Sequence, residues 1–112
     1  MLAASQYEIF CVPVHVISQK ALREFGRKHA DAATPLRAWL KLTRHGSFQN
    51  LAELKRTFAS VDLIPVKGRD FYVFNIGGNK YRLIAAIHFN TQRLFVRQIL
   101  THPEYDTERW KR

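Results

Sequence analysis

The sequence predicts an α+β domain in which N-terminal helices pack on one face of an antiparallel β-meander. Apolar spacing is the first ground: it follows a helical period between Ser18 and Phe58 and changes to a period of two from Val61 onward. Turn chemistry is the second. Lys67-Gly68-Arg69-Asp70, Gly77-Gly78-Asn79 and Asn90-Thr91-Gln92 cut the second half into short alternating segments. The third is size: 112 residues, 46% hydrophobic, suit one domain spanning 1–112 with enough apolar material for a core.

Residues 7–17, YEIFCVPVHVI, read as strand-like, with Pro13 marking an edge or a break and Val14–Ile17 the better strand. Ser18 is placed to cap a first helix over 19–29, whose buried stripe carries Leu22 and Phe25. A second helix is expected to start near Asp31 or Thr34, with Pro35 in its first turn. Leu36, Trp39, Leu40 and Thr43 keep its period, and Gly46 stops it. Asn50 and Glu53 have capping-box spacing for a short third helix bearing Leu51, Leu54 and Phe58. The strands expected after it are 61–66, 71–76, 80–89 and 93–100.

The net charge is +9 and the isoelectric point about 10.2, so a polyanion is the expected partner: nucleic acid, an acidic protein or a membrane surface. Between residues 67 and 97 the cations Lys67, Arg69, Lys80, Arg82, Arg93 and Arg97 face a single acid, Asp70. Cys11 is the only cysteine, which excludes an internal disulfide and a cysteine-based zinc site. His15, His29, His45, His88 and His102 lack ligand spacing, so neither metal nor cofactor is expected, and Cys11 with His15 is not read as a catalytic pair. No apolar run reaches the roughly 18 residues of a membrane span, and no signal peptide opens the chain; a cytoplasmic protein is expected.

Matching apolar faces across the turns sets a register. Phe74 then faces Leu83, Tyr72 faces Ala85 and Ile76 faces Tyr81; in the next hairpin Leu83 faces Leu100, Ile87 faces Val96 and Phe89 faces Leu94. The core face runs through Tyr72, Phe74, Ile76, Tyr81, Leu83, Ala85, Ile87, Phe89, Leu94, Val96 and Leu100, broken by Gln98. On the other face Asn75 lies beside Arg82, and Arg82 beside Thr101. Lys80 shares their parity, and His102 and Tyr105 follow at the strand end. Arg97, opposite Ala86, forms a second patch with His88.

A strand arginine among small polar groups suits a phosphate, since its fork holds two oxygens and meets charge building on phosphorus. His102 supplies a side-chain type suited to proton transfer near neutrality, and Tyr105 can stack on a base or donate a hydrogen bond. RNA brings its own nucleophile, the 2′-OH, so cleavage requires no metal and no protein nucleophile. The bland readings are a solvated or salt-bridged Arg82, a loop His102, a hairpin turn at Gly77-Gly78-Asn79, and a Trp110 that packs on the core or faces a partner.

The runs FNIGGNKYRLIAAIHFN (74–90) and RLFVRQILTHPEYD (93–106), with HVISQKAL (15–22) at the first helix, resemble the HigB-type toxins of the RelE superfamily over roughly residues 14–106. That resemblance implies a RelE-like fold and a toxin–antitoxin endoribonuclease that cuts mRNA in the ribosomal A site and is silenced by a HigA-type helix-turn-helix antitoxin. It implies that Arg82 contacts the scissile phosphate, and that His102 and Tyr105 occupy the catalytic or base-stacking positions of the last strand. Lys67, Arg69 and Lys80 are candidate RNA-backbone contacts, joined by Asn75, Arg97 and Thr101. Relatives of this kind begin near the HVISQKAL segment, so residues 1–13 read as an N-terminal extension. The alternatives are a basic RNA- or ribosome-binding module without catalysis, and a basic surface that docks an acidic protein.

Overall fold

In the computed structural model, which describes residues 13–112, the elements run β1 (His15–Ile17), α1 (Gln19–Lys28), α2 (Ala30–Arg44), α3 (Leu51–Thr57), β2 (Asp62–Val66), β3 (Arg69–Ile76), β4 (Tyr81–His88), β5 (Arg93–Thr101), α4 (His102–Asp106) and a final 3₁₀ turn (Arg109–Lys111). The strand-like reading of 7–12, Cys11 and nearly all of the suggested 1–13 extension lie outside the described residues. No described helix is long and apolar enough to cross a membrane.

The meander β2–β3–β4–β5 forms as expected, but the sheet is mixed. Its order is β1-β5-β4-β3-β2, and β1 runs parallel to β5 with Val16 opposite Leu94. A parallel neighbour needs a long connection, which the three helices and the meander supply. Periodicity alone left β1 without a partner.

The helices follow the sequence with local differences. Ser18 holds the N-cap position of α1 at φ 78°, and its side chain makes no capping bond. α2 begins at Ala30, so Pro35 falls in the second turn rather than the first; it lacks the N–H that would reach the Asp31 carbonyl. The buried Thr43 hydroxyl donates to the Trp39 carbonyl at 2.7 Å and so stays satisfied inside the core. Asn50 Oδ1 accepts the Glu53 N–H at 2.9 Å, while Glu53 Oε1 accepts from Gln49 N–H instead of Asn50. The capping box is thus displaced by one residue on its return arm.

Leu22, Leu36, Trp39 and Leu54 from the helices share one core with Phe74, Leu83, Leu94 and Val96 from alternate strand positions. Phe74 presents its ring edge-on to Trp39 and Phe58, at 5.4 and 5.1 Å between centroids.

The first hairpin has the expected register, with Phe74 opposite Leu83, Tyr72 opposite Ala85 and Asn75 opposite Arg82. Glycine explains this: Gly77 and Gly78 take φ 64° and 68°, which a residue without a Cβ adopts without strain. The second hairpin departs. His88 pairs with Arg93, Ile87 with Leu94 and Ala85 with Val96; a bulge follows, and Ile84 pairs with Gln98, Leu83 with Ile99, Arg82 with Leu100 and Tyr81 with Thr101. The extra residue is Arg97, which therefore does not oppose Ala86. Past the bulge the side-chain parity inverts, so Ile99 rather than Leu100 packs against the core. The turn itself is held by Gln92, whose buried side chain accepts from the Phe48 N–H at 3.0 Å and donates to the Phe48 and Phe89 carbonyls.

Candidate nucleic-acid interface

The face of the sheet opposite the core carries Asn75 on β3, Arg82 and Ile84 on β4, and Leu100 and Gln98 on β5. Val73 and Ile84 share this face, yet each is only 2% exposed. The C-terminal segment accounts for this by turning back across the sheet. α4 is started by a capping box between Thr101 and Glu104, and Glu108 at φ 59° reverses the chain. Trp110 then stands edge-on to Phe71 at 6.4 Å and stacks on Tyr105 at 5.4 Å and 15°. The Tyr105 ring in turn lies 5.6 Å from the Arg82 guanidinium carbon.

Arg82 is 8% exposed. Its Nη1 donates to the Asn79 and Tyr81 carbonyls at 3.2 and 3.1 Å, and its Nη2 to Asn79 Oδ1 at 2.9 Å. Three of its five N–H groups are thereby used. One Nη2 hydrogen and the Nε hydrogen, an adjacent pair, have no acceptor among the described residues. The hairpin turn holds Nη1 and Nη2, and Tyr105 covers a face; Nε makes no hydrogen bond among the described residues.

Burial, followed by the nearby Asp62 carboxylate, raises the Tyr105 phenol above its ordinary range. It remains protonated at neutral pH, able to stack or donate a hydrogen bond but not to act as a base. His102 sits at the first position of α4, where its Nε2 pairs with Asp106 at 3.2 Å. Its side chain is 38% exposed, so the imidazole is accessible while held in one orientation.

Beside the aromatic pair is a cavity of about 290 Å³ whose wall includes Lys67, Arg69, Arg97, Trp110, Lys111 and Arg112, with no Asp or Glu side chain in its lining. Lys67, Arg69, Arg97 and Arg112 have no ion-pair partner among the described residues; Lys111 pairs with Glu108 at 2.7 Å. Desolvated only in part and crowded by like charge, such a group of cations favours an anion in their midst. The bulge places Arg97 here. A second groove of about 490 Å³ shares Arg69, Phe71 and Arg97 and includes His88, so Arg97 and His88 do lie together as expected, although through a different register.

The structure brings together Arg82 with Tyr105 and Asn75, and Lys67 with Arg69 and Arg97. It moves two expected members away. Lys80 lies in the turn between β3 and β4, and its Nζ reaches Asp31 on the helical side at 3.1 Å instead of sharing the parity of Arg82. Thr101 pairs with Tyr81 and spends its hydroxyl on Glu104, at the helix cap. The bulge is the cause in the second case, because it shifts Thr101 one position off Arg82. Sequence reasoning missed Lys111 and Arg112 and left Trp110 undecided. The signal was the alternation of an aromatic with basic residues at 109–112.

Lys80 instead completes a tie between turn and helix: the Tyr81 hydroxyl donates to Asp31 at 2.5 Å beside it. The Tyr81 hydrogen bond first, and Lys80 second, hold the Asp31 carboxyl below its ordinary range. The folded state therefore prefers the carboxylate. The tie is fully stabilising above the ordinary carboxylate range and is lost as pH falls through the lowered value. Asp31→Asn is expected to lower the melting temperature at neutral pH, with the gap to wild type narrowing as pH falls below the ordinary carboxylate range. Thermal melts across that range check it.

A family model described as the RelE-like toxic component of a toxin–antitoxin system matches residues 32–108. The chain is 37% identical over 93 residues to the mRNA interferase toxin HigB of Escherichia coli K12, covering 83% of this chain and 88% of that protein. Similar to it at the same identity is the mRNA interferase HigB of Shigella flexneri, and at 32% that of Escherichia coli O6:H1, with 89% of the latter covered.

Proposed function

This chain belongs to the HigB family of RelE-like toxins, and from that premise we propose how its outer sheet face performs the work of an endoribonuclease toxin. The substrate is mRNA presented in the ribosomal A site. The observation that carries the reading is the cavity of Lys67, Arg69, Arg97, Lys111 and Arg112, lined by no Asp or Glu side chain and bordered by the Tyr105–Trp110 stack above Arg82. Cations track the phosphates, and the aromatic pair offers a surface on which a base can lie.

The RNA 2′-OH attacks the adjacent phosphorus. Its proton passes to a base, negative charge gathers on the non-bridging oxygens, and the 5′-oxygen departs with a proton from an acid. The products are a 2′,3′-cyclic phosphate and a free 5′-hydroxyl. The unused Nε–Nη2 edge of Arg82 fits two of those oxygens and stabilises the charge as it forms. His102, oriented by Asp106, moves one of the two protons. Tyr105 stacks on a base or donates a hydrogen bond. Lys67, Arg69 and Arg97 contact phosphates; Asn75, exposed beside Arg82, lies where it can contact the ribose or base. Lys80 and Thr101 are assigned to structure. No step is routed through a metal, because the 2′-OH is the nucleophile and Arg82 meets the charge.

One histidine and one arginine do not bend RNA into line for this attack, and the ribosome supplies that geometry. Free RNA is therefore expected to be cleaved weakly, and mRNA on programmed ribosomes readily. Expression without the antitoxin is expected to arrest growth. Rapid metal-independent cleavage of naked RNA would contradict ribosome dependence, and normal growth with confirmed folded protein would contradict the toxin reading. The intracellular setting of the ribosome makes the cytoplasm the place of action, and the antitoxin expected from the resemblance is of the HigA helix-turn-helix type.

A further inference from the structure

The helical side of the molecule has a second concave surface. α1 and α2 approach closely at Gly26 and Ala33, where a Cβ added to Gly26 would stand 3.3 Å from Ala33. A groove of about 500 Å³ runs between the two helices from this point. Its floor is apolar, built by Leu22, Leu36 and Leu40. Its rim carries Arg23, Arg27 and Arg37, all exposed, and no carboxylate lines it.

The acids on these helices are engaged elsewhere. Glu24 pairs with Lys20 at 3.8 Å, and Asp31 takes Tyr81 and Lys80. None of the three arginines has an ion-pair partner among the described residues; Arg37 reaches only the Thr34 hydroxyl, at 3.1 Å. The groove thus combines an apolar floor with an uncompensated cationic rim. RNA would match the rim but bring no aliphatic side chains to the floor. An amphipathic helix with acidic flanks matches both: aliphatic anchors at i, i+3 or i+4, and i+7 fill the floor while Glu or Asp on either side meet the arginines.

We propose that this groove docks an acidic amphipathic helix of the antitoxin. The proposal rests on reading the chain as a toxin with a protein antitoxin. The groove uses none of the residues assigned to RNA. Antitoxin affinity and RNA cleavage are therefore separable by mutation.

The test titrates purified antitoxin into the full-length toxin by calorimetry, comparing wild type with the Arg23→Glu/Arg27→Glu double variant on α1 and with Arg37→Glu on α2. These positions are exposed, and circular dichroism checks that the fold persists. The double variant is expected to bind about 30-fold or more weakly, and Arg37→Glu to bind more weakly too. Wild-type affinity falls with added salt while that of the double variant changes little. Cleavage on programmed ribosomes stays at the wild-type rate in both variants. Unchanged antitoxin affinity in both variants would overturn the proposal. So would intact antitoxin affinity accompanied by lost ribosome or RNA binding, which would make the groove a nucleic-acid surface. Self-association of the toxin that disappears in the double variant, with antitoxin affinity intact, would assign the groove to a second copy and also overturn it. If the wild-type chain fails to cleave while the affinity losses hold, the docking site stands and the nuclease reading falls.

Discussion

Arg82→Lys is expected to lower single-turnover cleavage on saturating ribosomes by about 10²–10³, the effect of removing one well-placed donor from a developing oxyanion. A lysine keeps the charge but cannot hold two phosphate oxygens through an adjacent N–H pair. The loss is expected to fall on the cleavage rate, because the charge that Arg82 is proposed to meet is greatest in the transition state. A structural contribution is also expected. Lysine offers its donors from a single nitrogen in place of the Nη1 and Nη2 that hold Asn79 and Tyr81, so the β3–β4 turn is expected to loosen. Thermal melting separates the two effects: the catalytic reading requires a variant that remains folded at the assay temperature and binds ribosomes nearly as well as wild type. A folded Arg82→Lys protein with the wild-type rate would remove the arginine from the chemistry and leave it as the anchor of the turn.

His102→Gln is expected to lower the same rate by about 10²–10⁴, the range for losing a positioned proton-transfer group. Glutamine retains a hydrogen bond to Asp106 but does not exchange a proton near neutral pH. The variant is therefore expected to lose rate, with its pH–rate profile compared with that of wild type. Asp106→Asn gives the complementary result: the imidazole stays but loses its charged orienting partner at 3.2 Å, and the decrease is smaller. A His102→Gln protein with wild-type rate and profile would assign proton transfer to a ribosomal group or to the RNA. Tyr105, whose phenol is raised above its ordinary range by burial and by Asp62, would then be the next candidate on this chain, as a proton donor.

How far the sequence revealed this arrangement depends on the kind of constraint each residue is under. Gly77 and Gly78 permit a tight turn, and the alternation on either side leaves a single register, so Asn75 opposite Arg82 could be read directly. The β4–β5 register could not. A bulge adds a residue without a compositional mark, and the inserted residue, Arg97, looks like any exposed strand arginine. That one insertion took Thr101 from Arg82 and placed Arg97 in the cationic cavity. β1 was legible as a strand but not as a parallel partner of β5, because pairing across so long a connection is set by the packed helices. Lys80 was assigned by parity, yet the turn releases it from strand alternation and Asp31 captures it. The return of Trp110 onto Phe71 depends on a left-handed turn at Glu108, which nothing in its residue type announces.

The most direct test of the outer face as the RNA site is a crosslink. Programmed ribosomes carrying a photoreactive 4-thiouridine in the A-site codon are bound to the His102→Gln protein, irradiated, and the attached peptides are identified by mass spectrometry. The account predicts attachment to the segments around Lys67–Phe71, Arg97 and Tyr105–Arg112, which border the cationic cavity and the aromatic stack. Attachment confined to α1 and α2, with those segments unlabelled, would contradict it.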